Sequence, residues 1–143
     1  MTLHGQYDND NIFAKIMRGE MPCAKVYEDN NVLAIMDAFP QSEGHVLVMP
    51  KAPSRNLLET QAKDIGRLFG TTQRIANAVK AAFNPDGIRI MQFNGAPAGQ
   101  TVFHTHVHII PCYENKTLGG HSEGGMADAA YLQSLADKIK AVL

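Results

Sequence analysis

The chain has no tryptophan, only two cysteines and almost no net charge, and each shortage removes a class of protein. Cys23 and Cys112 are too few and too far apart for a disulfide framework or a four-ligand zinc site. A reducing compartment, the cytoplasm, is therefore expected, with both thiols inert. Thirteen basic residues stand against 14 acidic ones, a formal charge of −1, so no bulk field attracts nucleic acid and no nucleic-acid partner is expected. No run of about 20 apolar residues occurs, and the N-terminal stretch carries neither a basic leader nor an apolar segment, so neither export nor a membrane partner is expected. Internal repeats, low-complexity stretches and linker-like charge runs are missing too. What remains is 143 residues, 45% of them hydrophobic, a length that suits one domain with its own core.

Residues 1–9 are polar and read as a flexible N-terminus, followed by a single domain over 10–143. Asp10 can cap a short helix carrying Ile12, Phe13, Ile16 and Met17 on one face, ended by Gly19 and Pro22. Lys25 to Glu28 and Val32 to Asp37 read as strands joined at Asp29-Asn30-Asn31, and a third strand, His45 to Met49, follows the turn Gln41-Ser42-Glu43-Gly44. Between about Gln61 and Phe83, Ile65, Leu68, Phe69, Ile75, Ala76 and Val79 recur at helical spacing. Strands are expected again from Ile88 to Phe93 and from Val102 to Ile110, around a loop from Asn94 to Thr101. A glycine-rich stretch from Gly119 to Gly125, with His121 read as a surface residue, precedes a helix with Leu132, Leu135, Ala136, Ile139 and Val142 on one face. This order predicts an α+β fold: a mostly antiparallel five-stranded sheet, one long helix, a short N-terminal helix and a C-terminal helix.

The chemistry sits in Phe103-His104-Thr105-His106-Val107-His108-Ile109. Strand alternation would put the three histidines on one face and the apolar residues with Thr105 on the other. One buried structural histidine would be ordinary, but three in strict alternation call for a shared task. A zinc ion is the first rival. On a strand, however, His104 and His108 would lie about 13 Å apart, too far for all three to meet one ion. No Cys-x-x-Cys or His-x-x-x-His pair adds ligands, so neither metal nor cofactor is expected. Phosphate chemistry suits the row better, since one neutral imidazole can attack while cationic neighbours hold phosphate oxygens. Gly95 and Gly99 would allow a ligand to approach the preceding loop closely, with Gln100 and Thr101 offering donors.

The run from Gln100 to Pro111 resembles the signature of the histidine-triad (HIT) family. The resemblance extends through Ile12 to Ile16, Gly19-Glu20-Met21-Pro22, Val26-Tyr27-Glu28-Asp29 and Gly44 to Lys51, roughly residues 10–113. It implies a nucleotide-binding α+β domain working as a homodimer, with an AMP-like purine nucleotide as substrate and partner. By the resemblance, His106 is the nucleophile of a transient nucleotidyl-histidine, His108 bonds the phosphate, His104 braces the nucleophile's surroundings, and His45 approaches the leaving group. Asp37 corresponds to the residue that takes the ribose hydroxyls. Asn94, Gln100 and Thr101 match phosphate and leaving-group contacts, and Ile12, Phe13, Ile16 and Leu33 match the apolar wall around the base. Asn11, Ala14 and Pro53 stand where several bacterial members place zinc ligands, so no zinc of that type is expected. The expected activity is hydrolysis or transfer at the α-phosphate of a nucleoside phosphoramidate or dinucleoside polyphosphate. The alternative is a nucleotide-binding interaction protein with vestigial turnover.

Overall fold

The apolar pattern between Ala62 and Phe83 makes the longest element, and the sheet is built against it. In the computed structural model, which describes residues 1–119 and 125–143, helix α2 (Ala62–Phe83) buries Leu68, Thr72, Ile75, Ala78 and Val79. Thr72 is tolerated there because its hydroxyl donates to the Leu68 carbonyl one turn back, at 2.8 Å. Asn84 ends the helix in the left-handed conformation. His121 lies outside the described residues.

Helix α1 (Ile12–Met17) is capped by Asn11 and not by Asp10: the Asn11 side chain accepts the Ala14 N–H at 3.0 Å. Asp10 is drawn instead into the preceding turn, where its N–H donates to the Asp8 carboxylate at 2.8 Å.

Strands β1 (Lys25–Glu28), β2 (Val32–Met36), β3 (Val46–Pro50), β4 (Gly87–Met91) and β5 (Val107–Cys112) form one antiparallel sheet in the order β1-β2-β3-β5-β4. Asp29 closes the first turn, its Oδ1 accepting the N–H groups of Asn31 and Val32 at 2.7 and 2.8 Å. The turn into β3 requires Gly44: φ is +93°, and a Cβ there would sit 2.8 Å from the Phe83 ring. Alternation then sorts the side chains. Ala34, Met36, Val46, Val48, Val107 and Ile109 pack with α2 and with α3 (Ala129–Lys140) in one core. Leu33, Ile35, Leu47 and Met49 face Phe13 of α1 in a second, smaller one. Leu132, Leu135, Ala136 and Ile139 anchor α3, whereas Val142 lies beyond its end and is exposed.

The main departure from expectation is at the histidines. The strand β5 begins only at Val107, so His104 and His106 precede it. The cause is a competing partner. Thr105 donates its N–H and its hydroxyl to the Ser54 carbonyl, at 2.9 and 3.1 Å, so this stretch bonds to the segment after β3 and not to a sheet neighbour. The three histidines therefore do not share one strand face.

Residues 1–7 carry contacts that their polar composition does not announce. The guanidinium of Arg55, 2% exposed, donates to the carbonyls of Thr2, His4 and Gln6 and lies 4.8 Å above the Phe103 ring. The Ala96 N–H donates to the Met1 carbonyl at 2.9 Å. Among the described residues, no helix is long and apolar enough to cross a membrane.

Candidate active site

Between α1, the sheet and the start of α3 lies a cavity of about 500 Å³. Ile12, Phe13 and Ile16 supply one apolar wall, and Asp37, Thr101, His106, His108 and Gln133 are its polar lining. The elements explain the placement: α1 presents its apolar stripe, Asp37 directly follows β2, and the start of β5 delivers His108 with His106 just before it.

His106 is 6% exposed, and its Nδ1 lies 2.6 Å from the His104 carbonyl oxygen. A carbonyl can only accept, so the proton is on Nδ1 and the lone pair is left on Nε2. The Phe13 ring meets the imidazole edge-on at 4.9 Å and the His108 ring lies 5.1 Å away, which fixes the ring plane.

The proton on His108 is assigned the same way, by its partners. Gln41 donates its backbone N–H to His45 Nδ1 at 3.0 Å, so His45 is neutral and protonated on Nε2. That Nε2 lies 3.0 Å from His108 Nδ1 and 3.3 Å from Asp37 Oδ2. His108 must accept at Nδ1, and its own N–H is therefore on Nε2, a donor for an anion in the cavity. Asp37, 3% exposed, also accepts the Phe39 N–H on Oδ1 at 2.8 Å.

Asp37, His45 and His108 lie close enough together, within 4.8 Å, to raise the question of a metal. A ligating histidine donates its second N–H to an acceptor and coordinates through the other nitrogen. At His45 the arrangement is reversed, because Nδ1 faces a donor and the proton occupies Nε2. These residues fit a hydrogen-bonded chain and do not fit a cation. The Asn11 side chain is engaged in capping α1 and Ala14 is buried in the same helix, so neither offers a ligand.

His104 touches His106 through its backbone, and its ring points away into the protein. The ring is fully buried, with Nε2 donating to the Pro50 carbonyl and Nδ1 accepting the Tyr7 hydroxyl, both at 2.7 Å. Burial pushes its pKa down to about 4, so it is neutral at pH 7 and is not a cationic neighbour for phosphate. Its carbonyl, not its ring, orients His106.

Several other expected contacts fall elsewhere. Gln100 is buried, its amide accepting the Gly95 N–H and donating to the carbonyls of Arg55 and Val102. The Asn94 amide is engaged with Gln92 and the Leu57 N–H. Neither lines the cavity, and Leu33 belongs to the core behind it. At Gly95 the backbone has φ +88°, which favours glycine, and the side that a Cβ would occupy faces Leu3 of the chain itself at 3.4 Å. His45 is fully buried and does not line the cavity itself, but it meets two residues that do, His108 and Asp37. In their place the fold brings in Cys23, Met126 and Gln133, whose distance along the chain from the histidines hid them. Burial raises the Cys23 thiol pKa, which slows its reactions without removing it from the wall.

The family model described as "HIT domain" matches residues 18–115. Adenylylsulfatase HINT3 from Arabidopsis thaliana is 44% identical over 110 residues, 77% of this chain but 56% of its own length, so the chain spans about half of that relative. Protein hit from Bacillus subtilis is 44% identical over 102 residues, 71% of this chain and 70% of its own. Among solved structures, a Hit-like protein involved in cell-cycle regulation from Bartonella henselae, crystallised with an unknown ligand, superposes with a TM-score of 0.89. It is 47% identical and covers 96% of this chain and 100% of its own.

Proposed function

The chain belongs to the HIT domain family, and from that premise we propose that it is a nucleotide hydrolase or transferase acting at the α-phosphate of purine nucleotide conjugates. The observation that carries the reading is the bond from His106 Nδ1 to the His104 carbonyl, which leaves Nε2 as a nucleophile in a cavity. Nε2 attacks the α-phosphorus in line, a P–N bond to His106 forms, and the bond to the leaving group breaks with its electron pair. The leaving group takes a proton from solvent as it departs, and the water that acts in the second step returns one to solvent. Water or another acceptor then displaces His106 and returns its lone pair. His108, donating from Nε2, and the Thr101 hydroxyl stabilise the phosphoryl oxygens. The base lies against Ile12, Phe13 and Ile16, with the ribose near Asp37, whose oxygens keep acceptor capacity beyond the contacts described. The chemistry draws on these side chains and needs no metal ligand set.

Leaving groups to be compared are an amine, as in a nucleoside phosphoramidate, and a nucleoside polyphosphate. The name of the Arabidopsis relative adds adenylyl sulfate. A homodimer, with the strands of two protomers continuing one sheet, is part of the proposal. What supports it is that β4 ends the sheet with Ile90, 46% exposed, on its surface.

The test is intact mass spectrometry after brief mixing with an adenosine phosphoramidate, beside a His106→Asn control. An AMP adduct that requires His106 supports the mechanism. Turnover undiminished in the variant would defeat it, and stable AMP binding without turnover of any conjugate would favour an interaction protein.

A further inference from the structure

One polar group in the cavity is given no task by the phosphate and ribose assignments above. Gln133 lines the cavity from α3, and its Nε2 donates to Asp137 Oδ1 at 3.0 Å, one turn further along. Building on the nucleotide reading above, we propose that Gln133, oriented by Asp137, reads the base and selects adenine over guanine.

The position of Gln133 is fixed by what surrounds it. Immediately before α3, the Ala127 N–H donates to the Ala38 carbonyl at 2.8 Å, tying the chain to the residue after Asp37. Leu132 and Leu135, on either side of Gln133 in sequence, are buried in the core under α3. The Tyr131 hydroxyl donates to the Glu43 carboxylate at 3.1 Å, a second tie to the turn before β3. The amide thus stands on an anchored helix beside the loop that follows the ribose residue.

With phosphate at His106 and His108 and ribose at Asp37, the base is left with apolar wall and Gln133. An apolar slot accepts the two purines almost equally, because they share a ring skeleton and neither leaves a hydrogen bond unmade in the wall. Discrimination needs a polar group with a defined direction. A carboxylate only accepts, so Asp137 holds Nε2 toward itself and settles which end of the Gln133 amide is which. Oε1 and the second N–H of Nε2 remain for a ligand. Adenine offers a donor at N6 beside an acceptor at N1, which a glutamine amide matches with two bonds. Guanine reverses that pair, with an acceptor at O6 beside a donor at N1, so O6 would face Oε1 and the N1–H would face the N–H of Nε2. Turning the amide over to suit guanine would set Oε1 against the Asp137 carboxylate.

The test is calorimetric titration of the full chain with AMP and with GMP, for the unmodified protein, Gln133→Leu and Asp137→Ala. Gln133 is half-buried and outside the apolar cores, so its replacement leaves them intact. The expected result is tighter binding of AMP by roughly tenfold or more. In Gln133→Leu the preference should fall below about threefold through loss of AMP affinity, and Asp137→Ala should gain GMP affinity as the amide is freed to turn. Equal affinities in the unmodified protein, or a preference that survives in Gln133→Leu, would overturn the proposal, and failure to bind either nucleotide would overturn it together with the nucleotide reading. No gain of GMP affinity in Asp137→Ala would overturn the orienting role of Asp137. Selective AMP binding without turnover would sink the hydrolase reading alone and leave Gln133 as the base reader.

Discussion

His45 Nε2 lies 3.0 Å from His108 Nδ1, and the Gln41 N–H on the other nitrogen of His45 decides which way the proton between them points. His45 is buried and acts through its neighbour, so it is a positioning residue. Replacing it with Phe should lower kcat roughly 10- to 100-fold, by letting His108 turn, while KM changes little. His45→Gln should recover part of the loss, because an amide N–H can donate where Nε2–H did. If KM rises in step with the loss of kcat in His45→Phe, the pocket is distorted and the relay is not the cause.

His104 makes stability depend on acidity. Its ring is neutral in the fold, with a pKa pushed down to about 4 by burial, whereas in the unfolded chain it titrates near the ordinary value of about 6.5. Unfolding therefore takes up a proton between these values. The contribution is complete above pH 6.5 and is lost as pH falls through about 4, a difference of about 3 kcal/mol. Urea midpoints from pH 7.5 to 4.5 should fall steeply in the natural protein and less steeply in His104→Gln. Parallel slopes would mean that other groups carry the acid sensitivity.

Arg55 ties residues 2–6 to the body through three carbonyls. Arg55→Ala removes these bonds and the contact with Phe103, and should cost about 2–4 kcal/mol, read from chemical denaturation. Arg55→Lys should recover little, since an ammonium lacks the planar fork that spans several acceptors. Amide exchange over residues 1–7 should accelerate in both variants; unchanged protection there would show that the N-terminal segment is held by other contacts.

The proposed dimer is checked at β4. Ile90→Glu places a charge on the exposed strand and should shift the mass measured by light scattering from two chains to one. A natural protein that already scatters as a single chain would remove the dimer from the proposal.

Much of the fold was legible because its signals are local. The apolar spacing of Ala62–Phe83 marked α2, and Asp29 and Gly44 marked the turns that bound β2 and β3. The expected β5 was too long because its first residues alternate like a strand, while the Ser54 carbonyl that claims Thr105 is 51 positions away in sequence. Gln100 looked like a ligand because an amide beside glycines suits phosphate, and Asn94 because the family resemblance implied it. In the fold the same amides brace the loop from within.

The sequence by itself determined the identity of the reactive groups and the order of the elements, since alternation, helical period and turn residues act between near neighbours. Only the tertiary structure decided what each histidine can do. A free imidazole can carry its proton on either nitrogen, and the choice is made by whatever faces it: a carbonyl at His106, a backbone N–H at His45, a carbonyl and a tyrosine hydroxyl at His104. For His45 and His104, partners such as His108, Pro50 and Tyr7 come from distant parts of the chain, so three alternating histidines with the same side chain end with their protons on different nitrogens and only two of them lining the cavity.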